Sequence, residues 1–392
     1  MKALPEVNFA TKTQLDRNKG HEMNICFVLP GSAPTPTGGP KNVYEHANRL
    51  AAKGHAVTIL HVAYVTKQGG MYAFCRAAAS YFLNSVGAMH WRPDRWFQVD
   101  PRIVMRWAPA PVACCVPDGD AIIATAWQTA EWVRDYPQAK GAKFYFAMDF
   151  ERYMEADEEL RARIGATHGA GLRTMVISPA GSDMITRGGG RTPCMVPCAL
   201  DFSCYHLTNA VDDASRTMIG FPARPERHKA TPDAISALKL IRERTGHCGP
   251  FWSFGGERPA GLPDWVEHHP RPSDAELAQL YNRSALFLVP SHYEGWGLPG
   301  SEAMACGAAL ISTDNGGVRA YAKHGVNALL TPIADPEALA AAACSLLADD
   351  TWRIQLAKAG SEQIRQFTWE RASADLERCL DEGIADCKLP KG

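Results

Sequence analysis

The run Ala285-Leu-Phe-Leu-Val-Pro290 leads into Ser291-His-Tyr-Glu-Gly-Trp-Gly-Leu-Pro-Gly-Ser-Glu-Ala-Met-Ala-Cys-Gly307, and this stretch decides the fold. The apolar run reads as a buried parallel strand. Gly295 and Gly297 then make a tight loop. Pro299 suits a first helical position, where its missing N–H would be unpaired anyway. Gly307 suits the left-handed residue that ends a helix. Strand, glycine loop and short helix therefore follow one another. The loop amides and the positive helix end point at one spot, and such a spot favours a phosphate.

Two carboxylates share that spot. Glu294 sits in the loop, and Glu302 sits about one turn into the helix, eight positions later. Carboxylates beside an anion site are costly unless they hold hydroxyl donors. A sugar nucleotide offers both halves, phosphates for the amides and sugar and ribose hydroxyls for the carboxylates. The Glu-x7-Glu pattern inside Glu-Gly-Trp-Gly-Leu-Pro-Gly-Ser-Glu-Ala-Met-Ala-Cys-Gly closely resembles the donor-site motif of the retaining GT-B glycosyltransferases. This is the large Glu-x7-Glu family, glycosyltransferase group 1 or family four. The resemblance is clearest over 217–370 and 24–60, and loose over 65–140.

Composition sets outer bounds. A chain of 392 residues reads as two or three domains. Apolar residues make up 46% and charged residues 21%, an ordinary globular mix. A net charge of -1 carries no electrostatic footprint for nucleic acid. No apolar stretch reaches the ~18 residues needed to span a bilayer. Residues 1–20 lack a signal-peptide core and read as a loose, polar segment, so the expected location is cytoplasmic. The twelve cysteines read as buried free thiols rather than a disulfide framework.

In chain order, Asn24-Ile-Cys-Phe-Val-Leu-Pro30 reads as a first buried strand. Lys41 to Lys53 has helical spacing, with Val43, Ala47 and Leu50 on one face, and His55 to His61 is the next strand. Between the first strand and the helix, the loop Thr37-Gly-Gly-Pro40 lacks the dinucleotide fingerprint and is by pattern alone a weak phosphate signal; it resembles the family's Gly-Gly loop, which implies that Gly38 and Gly39 face donor phosphates, and a plain turn before a helix is the other reading. Residues 71–86 carry one charge. Two readings stand for them, a core helix and a surface for a lipid-linked acceptor or the membrane interface. Asp120–Ala126 and Ala142–Met148 look like further strands, each followed by polar groups. Ligands of doubly wound sheets bind at the carboxyl ends of strands, which makes Trp127, Gln128, Asp149 and Glu151 candidates for lining an acceptor site. Loop capping is the other reading of Asp149 and Glu151. Related transferases often carry a histidine where Asp149 stands, and this departure changes the acceptor-side base. The segments around Trp127 and Asp149 look like a rhamnosyltransferase-type branch.

Met175–Ser178 reads as a strand. Cys194, Cys198, Cys204 and His206 fit no common zinc spacing. Val196-Pro-Cys-Ala-Leu-Asp201 resembles the family's interdomain crossover. The expected domains are a loose segment at 1–20, a Rossmann-like acceptor domain at 21–200 and a Rossmann-like nucleotide-sugar donor domain at 201–368. A C-terminal helix at 369–388 is expected to pack back on the first. In the second half, strands are read at Thr217–Pro222, Phe251–Phe254, Ala308–Ser312 and Val326–Leu330. Ser273-Asp-Ala-Glu276 is a capping box, and Asp335-Pro336 starts another helix. Arg224 and Lys229 lie between a strand and a helix, where the family carries an arginine and a lysine on the donor diphosphate; Arg suits a bidentate contact and Lys a point charge. Arg227 is the alternative, and solvated surface cations are the plain reading.

The resemblance implies an α/β GT-B fold, two Rossmann-like parallel-sheet domains facing across a cleft. It implies retaining transfer of a sugar from a nucleotide-diphosphate donor to an acceptor hydroxyl, in polysaccharide or glycoconjugate biosynthesis. Arg224 and Lys229 would neutralise the leaving diphosphate, with the amides of Gly295, Trp296, Gly297 and Leu298 assisting. Glu302 would hold ribose hydroxyls and Glu294 sugar hydroxyls, while Asp149 would orient or deprotonate the acceptor. Neither a metal nor another cofactor is called for; UDP, GDP and dTDP are not separated as donor nucleotides. The acceptor class stays open between glycan, lipid-linked and small-molecule hydroxyls, as do peripheral contact with the inner face of the membrane and the oligomeric state. Two rival functions remain, a GT-B sugar-nucleotide epimerase and a non-enzymatic pseudo-transferase that binds glycan or a partner.

Overall fold

The structure, a computed structural model, describes residues 22–33, 38–62, 91–148, 150–247 and 249–388, with Cys75 and Ala79 besides. The segments read as a loose N-terminus and as an apolar helix at 71–86 thus lie almost wholly outside the described residues. Among the described residues, strands form two sheets, one of seven in the order β3-β2-β1-β4-β5-β6-β7 and one of six in the order β10-β9-β8-β11-β12-β13. In the first sheet β1 is Asn24–Pro30, β2 Ala56–Val62, β3 Val104–Ala108, β4 Ala121–Ala124, β5 Ala142–Ala147, β6 Arg173–Val176 and β7 Cys194–Met195. In the second, β8 is Met218–Ala223, β9 Phe251–Gly255, β10 Val266–Pro270, β11 Ser284–Val289, β12 Ala309–Thr313 and β13 Leu329–Thr331. Two parallel-sheet, Rossmann-like domains are therefore present, as expected.

By contacts the chain divides into two compact units, residues 1–123 with 136–142, and residues 124–135 with 143–392. In the first, β1 and β2 run parallel in unbroken register from Asn24↔Ala56 to Pro30↔Val62. Helix Gly38–Ala52 crosses between them and buries Val43, Tyr44, Ala47 and Leu50. It begins three residues before the expected Lys41, so Gly38 and Gly39 belong to its first turn rather than to a loop. Pro at the third helical position is compatible with this, since that N–H has no helical partner in any case.

In the second unit every residue of β8, β9, β11 and β12 is buried. Strands buried on both faces lose the polar alternation of an edge strand, which is why they read as continuous apolar runs. Ala234, Ala237, Leu238 and Ile241 of helix Thr231–Thr245 share a core with Leu339, Ala340, Ala343 and Leu346 of helix Pro336–Ala348. Both expected helix starts are made: Ser273 and Glu276 form a reciprocal capping box, and Asp335 accepts from the Ala338 amide at 2.9 Å. The C-terminal helix Trp369–Lys388 lies against the first sheet. A Cβ on its Gly383 would come within 2.5 Å of the Phe144 ring on β5, and its Glu382 and Asp386 pair with Arg173 on β6 at 2.5 and 2.6 Å.

Two strands sit away from where the sequence placed them. β13 starts at Leu329 instead of Val326, because Asn327 turns the chain: its side chain accepts from the Lys323 amide at 2.6 Å and donates to the Tyr321 carbonyl at 3.0 Å. β6 ends at Val176 instead of Ser178, because the Ser178 hydroxyl caps helix Pro179–Arg187.

Candidate functional site

The motif folds as strand β11, a loop, and helix Leu298–Ala305. Gly297 precedes the helix at φ +88°, a left-handed backbone that favours glycine. Pro299 takes the second helical position, one later than expected, where an N–H is equally unpaired. Gly307 closes the turn at φ +83°. Arg216 fastens the far end: it is 3% exposed and donates to the carbonyls of Cys306, Asn209, Ala210 and Ser284. Burial pushes its guanidinium down to about 10, still charged at neutral pH.

The loop itself is clamped from beneath. Tyr321 donates its hydroxyl to the Gly297 carbonyl at 2.9 Å, and the Trp296 indole donates to Ser301 at 3.2 Å. Trp296 packs between Tyr321 and Phe367, with ring centroids 5.2 and 5.1 Å away. The Glu294 amide donates to the Asn315 carbonyl at 3.1 Å. Gly317 fits under this loop only as glycine, because a Cβ there would lie 2.6 Å from the Glu294 carbonyl and 2.7 Å from the Trp296 amide nitrogen.

Glu294 is 7% exposed and fully engaged through its carboxylate. Oε1 accepts from the Ser291 hydroxyl at 2.7 Å, and Oε2 accepts from Lys229 Nζ at 2.8 Å. Lys229 ends the 3-10 turn Arg227–Lys229, after which Ala230 takes a left-handed φ of 50° and helix Thr231–Thr245 begins. Arg224 follows β8 directly. Thr231 Oγ1 accepts from its amide at 2.9 Å and donates to its carbonyl at 2.7 Å, which pins the backbone. The Arg224 side chain is exposed, with its guanidinium 5.3 Å above the Phe254 ring. Among the described residues it has no carboxylate partner, so the structure brings Lys229 but not Arg224 to Glu294. Arg227 is also exposed.

Glu302 is half-buried and accepts from the Tyr281 hydroxyl at 3.2 Å. Burial first, and the Glu302 charge second, push the Tyr281 phenol well above its ordinary range, so it stays a donor. Gly38 and Gly39 belong to the other unit; a Cβ on either meets nothing within 4 Å among the described residues. Trp127 is 4% exposed, with the Arg163 guanidinium 4.8 Å from its ring centre. Asp149 and the Glu151 side chain lie outside the described residues. Among the described residues, no group of three or more His, Cys, Asp or Glu is placed to hold a metal ion. Cys194 has Cys379 and Arg173 beside it, and these hold its thiol below the ordinary range against the effect of burial.

Ser291, Tyr281, Tyr321 and Gly317 were not singled out from the sequence. For Gly317 the signal existed: Asp314-Asn-Gly-Gly-Val318 follows an apolar strand in the same strand-then-glycine format as the motif.

Comparison with known proteins bears on the fold. Sucrose-phosphate synthase from Thermosynechococcus elongatus superimposes with a TM-score of 0.68 at 18% identity, over 93% of this chain and 100% of that one. Anabaena HepE in complex with UDP-glucose gives 0.67 at 17%, over 92% and 100%. The fold is that of the GT-B glycosyltransferases. The family model for glycosyl transferases group 1 matches residues 258–365, which hold both motif glutamates. Over those residues the chain is similar to the glycosyl transferases group 1 family. Curated relatives include the D-inositol 3-phosphate glycosyltransferases of Corynebacterium urealyticum, 31% identical over 41% of this chain and 42% of the relative, and of Xylanimonas cellulosilytica, 38% identical over 30% and 28%. The chain spans less than half the length of these relatives. Among the described residues no helix is long and apolar enough to cross a membrane.

Proposed function

We propose that the protein is a retaining glycosyltransferase that moves a sugar from a nucleoside-diphosphate sugar to an acceptor hydroxyl. The observation that carries this is the Glu294 carboxylate, held between Lys229 and Ser291 at the mouth of helix Leu298–Ala305. A cation, a carboxylate and a helix N-terminus at one point suit a sugar joined to a diphosphate. The cation and the helix end meet the phosphates, and the carboxylate meets hydroxyls. That HepE is seen with UDP-glucose supports the same class of donor.

In this reading Arg224 and Lys229 neutralise the charge that develops on the leaving diphosphate, which acts on the transition state more than on bound substrate. Their two positive charges do there what a metal does in other transferases, so the reaction runs without one. Glu302, oriented by Tyr281, holds the ribose hydroxyls. Glu294 holds sugar hydroxyls and stabilises the oxocarbenium-like state. Asp149 orients or deprotonates the acceptor, which is a glycan, a lipid-linked glycan or a small molecule in polysaccharide or glycoconjugate assembly.

The test is calorimetric titration of UDP, GDP, dTDP and ADP into wild type and Glu302→Ala. One nucleotide should bind, and the substitution should weaken it by about tenfold, as expected for lost hydroxyl bonds to a charged group. Binding of none would overturn the donor site. Conversion of a donor sugar with no acceptor present would point instead to the epimerase reading.

A further inference from the structure

Helix Phe150–Glu155 follows β5 and sends one carboxylate to the turn that carries Lys229. His228 Nδ1 donates to Glu155 Oε1 at 2.6 Å. The His228 side chain is 8% exposed and that of Glu155 36%. The backbone of the same histidine is held by the motif: the His292 amide donates to the His228 carbonyl at 2.7 Å. One position further on, Lys229 reaches Glu294. His228 is therefore gripped by its ring from one side and by its carbonyl from the other, immediately before the cation.

The turn needs that support. Its own closure rests on Lys229 N–H to Glu226 at 3.0 Å and Ala230 N–H to Arg227 at 3.1 Å. It ends on a left-handed alanine, a backbone conformation that is strained for a residue with a Cβ. Short 3-10 turns have poor hydrogen-bond geometry and hold poorly alone. The same helix also runs close to the motif: a Cβ added to Gly316, which bridges to Glu294, would lie 3.6 Å from the Phe150 ring.

We propose that Glu155 is a positioning residue for a nucleoside diphosphate: through His228 it fixes the turn that presents Lys229 to the phosphates. The proposal rests on the donor-site reading above. What Glu155 must supply is an acceptor oxygen for Nδ1–H. Glutamine keeps such an oxygen and alanine does not.

The experiment compares Glu155→Ala, Glu155→Gln, Lys229→Ala and the Glu155→Ala/Lys229→Ala double variant. UDP affinity is measured by calorimetry, with GDP, dTDP or ADP in its place if wild type prefers one of them. Glu155→Ala should weaken binding about tenfold and Glu155→Gln by no more than about threefold, while in the Lys229→Ala background the alanine change should cost less than about twofold. Wild-type affinity in Glu155→Ala, or effects that simply add in the double variant, would overturn the proposal. Hydrogen exchange over residues 224–232 is read with no nucleotide present. It should quicken in Glu155→Ala and return to the wild-type rate in Glu155→Gln; an unchanged rate in the alanine variant overturns the proposal by itself. If wild type binds none of the four diphosphates, the donor-site reading falls, and the exchange result alone decides whether Glu155 fixes the turn.

Discussion

Lys229 and Glu294 lie 65 positions apart and share a 2.8 Å bond between Nζ and Oε2. Sequence reasoning gave these residues separate duties, the lysine to the diphosphate and the glutamate to the sugar. In the structure each holds the other in place. A half-buried ammonium and a buried carboxylate are stable together because neither is left to lose its hydration unpaired. A donor entering this site would share Lys229 with Glu294, so the sugar and its leaving group would be aligned by one ion pair.

Removing the carboxylate should therefore have two effects. Glu294→Ala leaves Lys229 and Ser291 without their partner and should cost about 1–3 kcal/mol of stability, seen as a lower urea midpoint. Turnover should fall by about a hundredfold or more, the scale for losing a group that stabilises developing charge. Glu294→Gln should recover most of the stability, since its oxygen still accepts from one neighbour, but little of the turnover. Equal recovery of both would mean that Glu294 only braces the loop.

Arg224 should behave in the opposite way. Its guanidinium is exposed over the Phe254 ring, and an exposed contact of that kind contributes only about 0.5–1 kcal/mol. Arg224→Ala should leave the unfolding midpoint nearly unchanged and cut turnover strongly at saturating donor. Arg224→Lys should restore part of the loss, because a point charge replaces a bidentate fork. Turnover that survives the alanine change would remove Arg224 from the reaction.

The contrast between Glu294 and Arg224 marks how far sequence reading goes. β1, β8, β11 and β12 are legible because their central residues are buried on both faces, so each carries an unbroken apolar run of three residues or more. The motif is legible because left-handed turns at 297 and 307 call for glycine. β10, Val-Glu-His-His-Pro, is not legible: its residues carry no apolar run, and only its parallel register on β9, from Val266↔Phe251 to Pro270↔Gly255, makes it a strand. The Lys229–Glu294 and Glu155–His228 pairs are invisible for a related reason. Each joins segments more than 60 positions apart, and only the packed structure sets which carboxylate meets which cation.

Gly317 is a site where the backbone, not a side chain, is at stake. An added Cβ would meet the Glu294 carbonyl and the Trp296 amide, and backbone atoms cannot rotate away as a side-chain tip can. Gly317→Ala should displace the motif loop, lower stability by about 1–3 kcal/mol and abolish nucleotide binding. Gly38→Ala, where the added atom meets nothing within 4 Å among the described residues, is the control for stability. A Gly317→Ala protein that binds its nucleotide normally would show that the loop tolerates displacement and that the Glu294 geometry is not critical.

Acid should destabilise the first unit through His61. Tyr44 OH and His61 Nε2 lie 3.1 Å apart, and Nδ1 lies 2.8 Å from the Gly31 carbonyl. The Nδ1–H tautomer satisfies both, donating to Gly31 and accepting from Tyr44. Burial pushes the imidazole down to about 4, opposed by the Gly31 bond. The folded pKa is thus below the unfolded value, near 6.5, so the unfolded chain binds the extra proton between the two. The stability due to neutral His61 is complete above the unfolded value, is lost as pH falls from about 6.5 towards 4, and changes no further below that. Between pH 7 and 5 the loss should be roughly 2 kcal/mol. Urea midpoints measured over that window on wild type and His61→Gln test this: the variant should be less stable at pH 7 and show a shallower slope. Parallel slopes would mean that His61 is solvated and takes up its proton equally well in the folded chain.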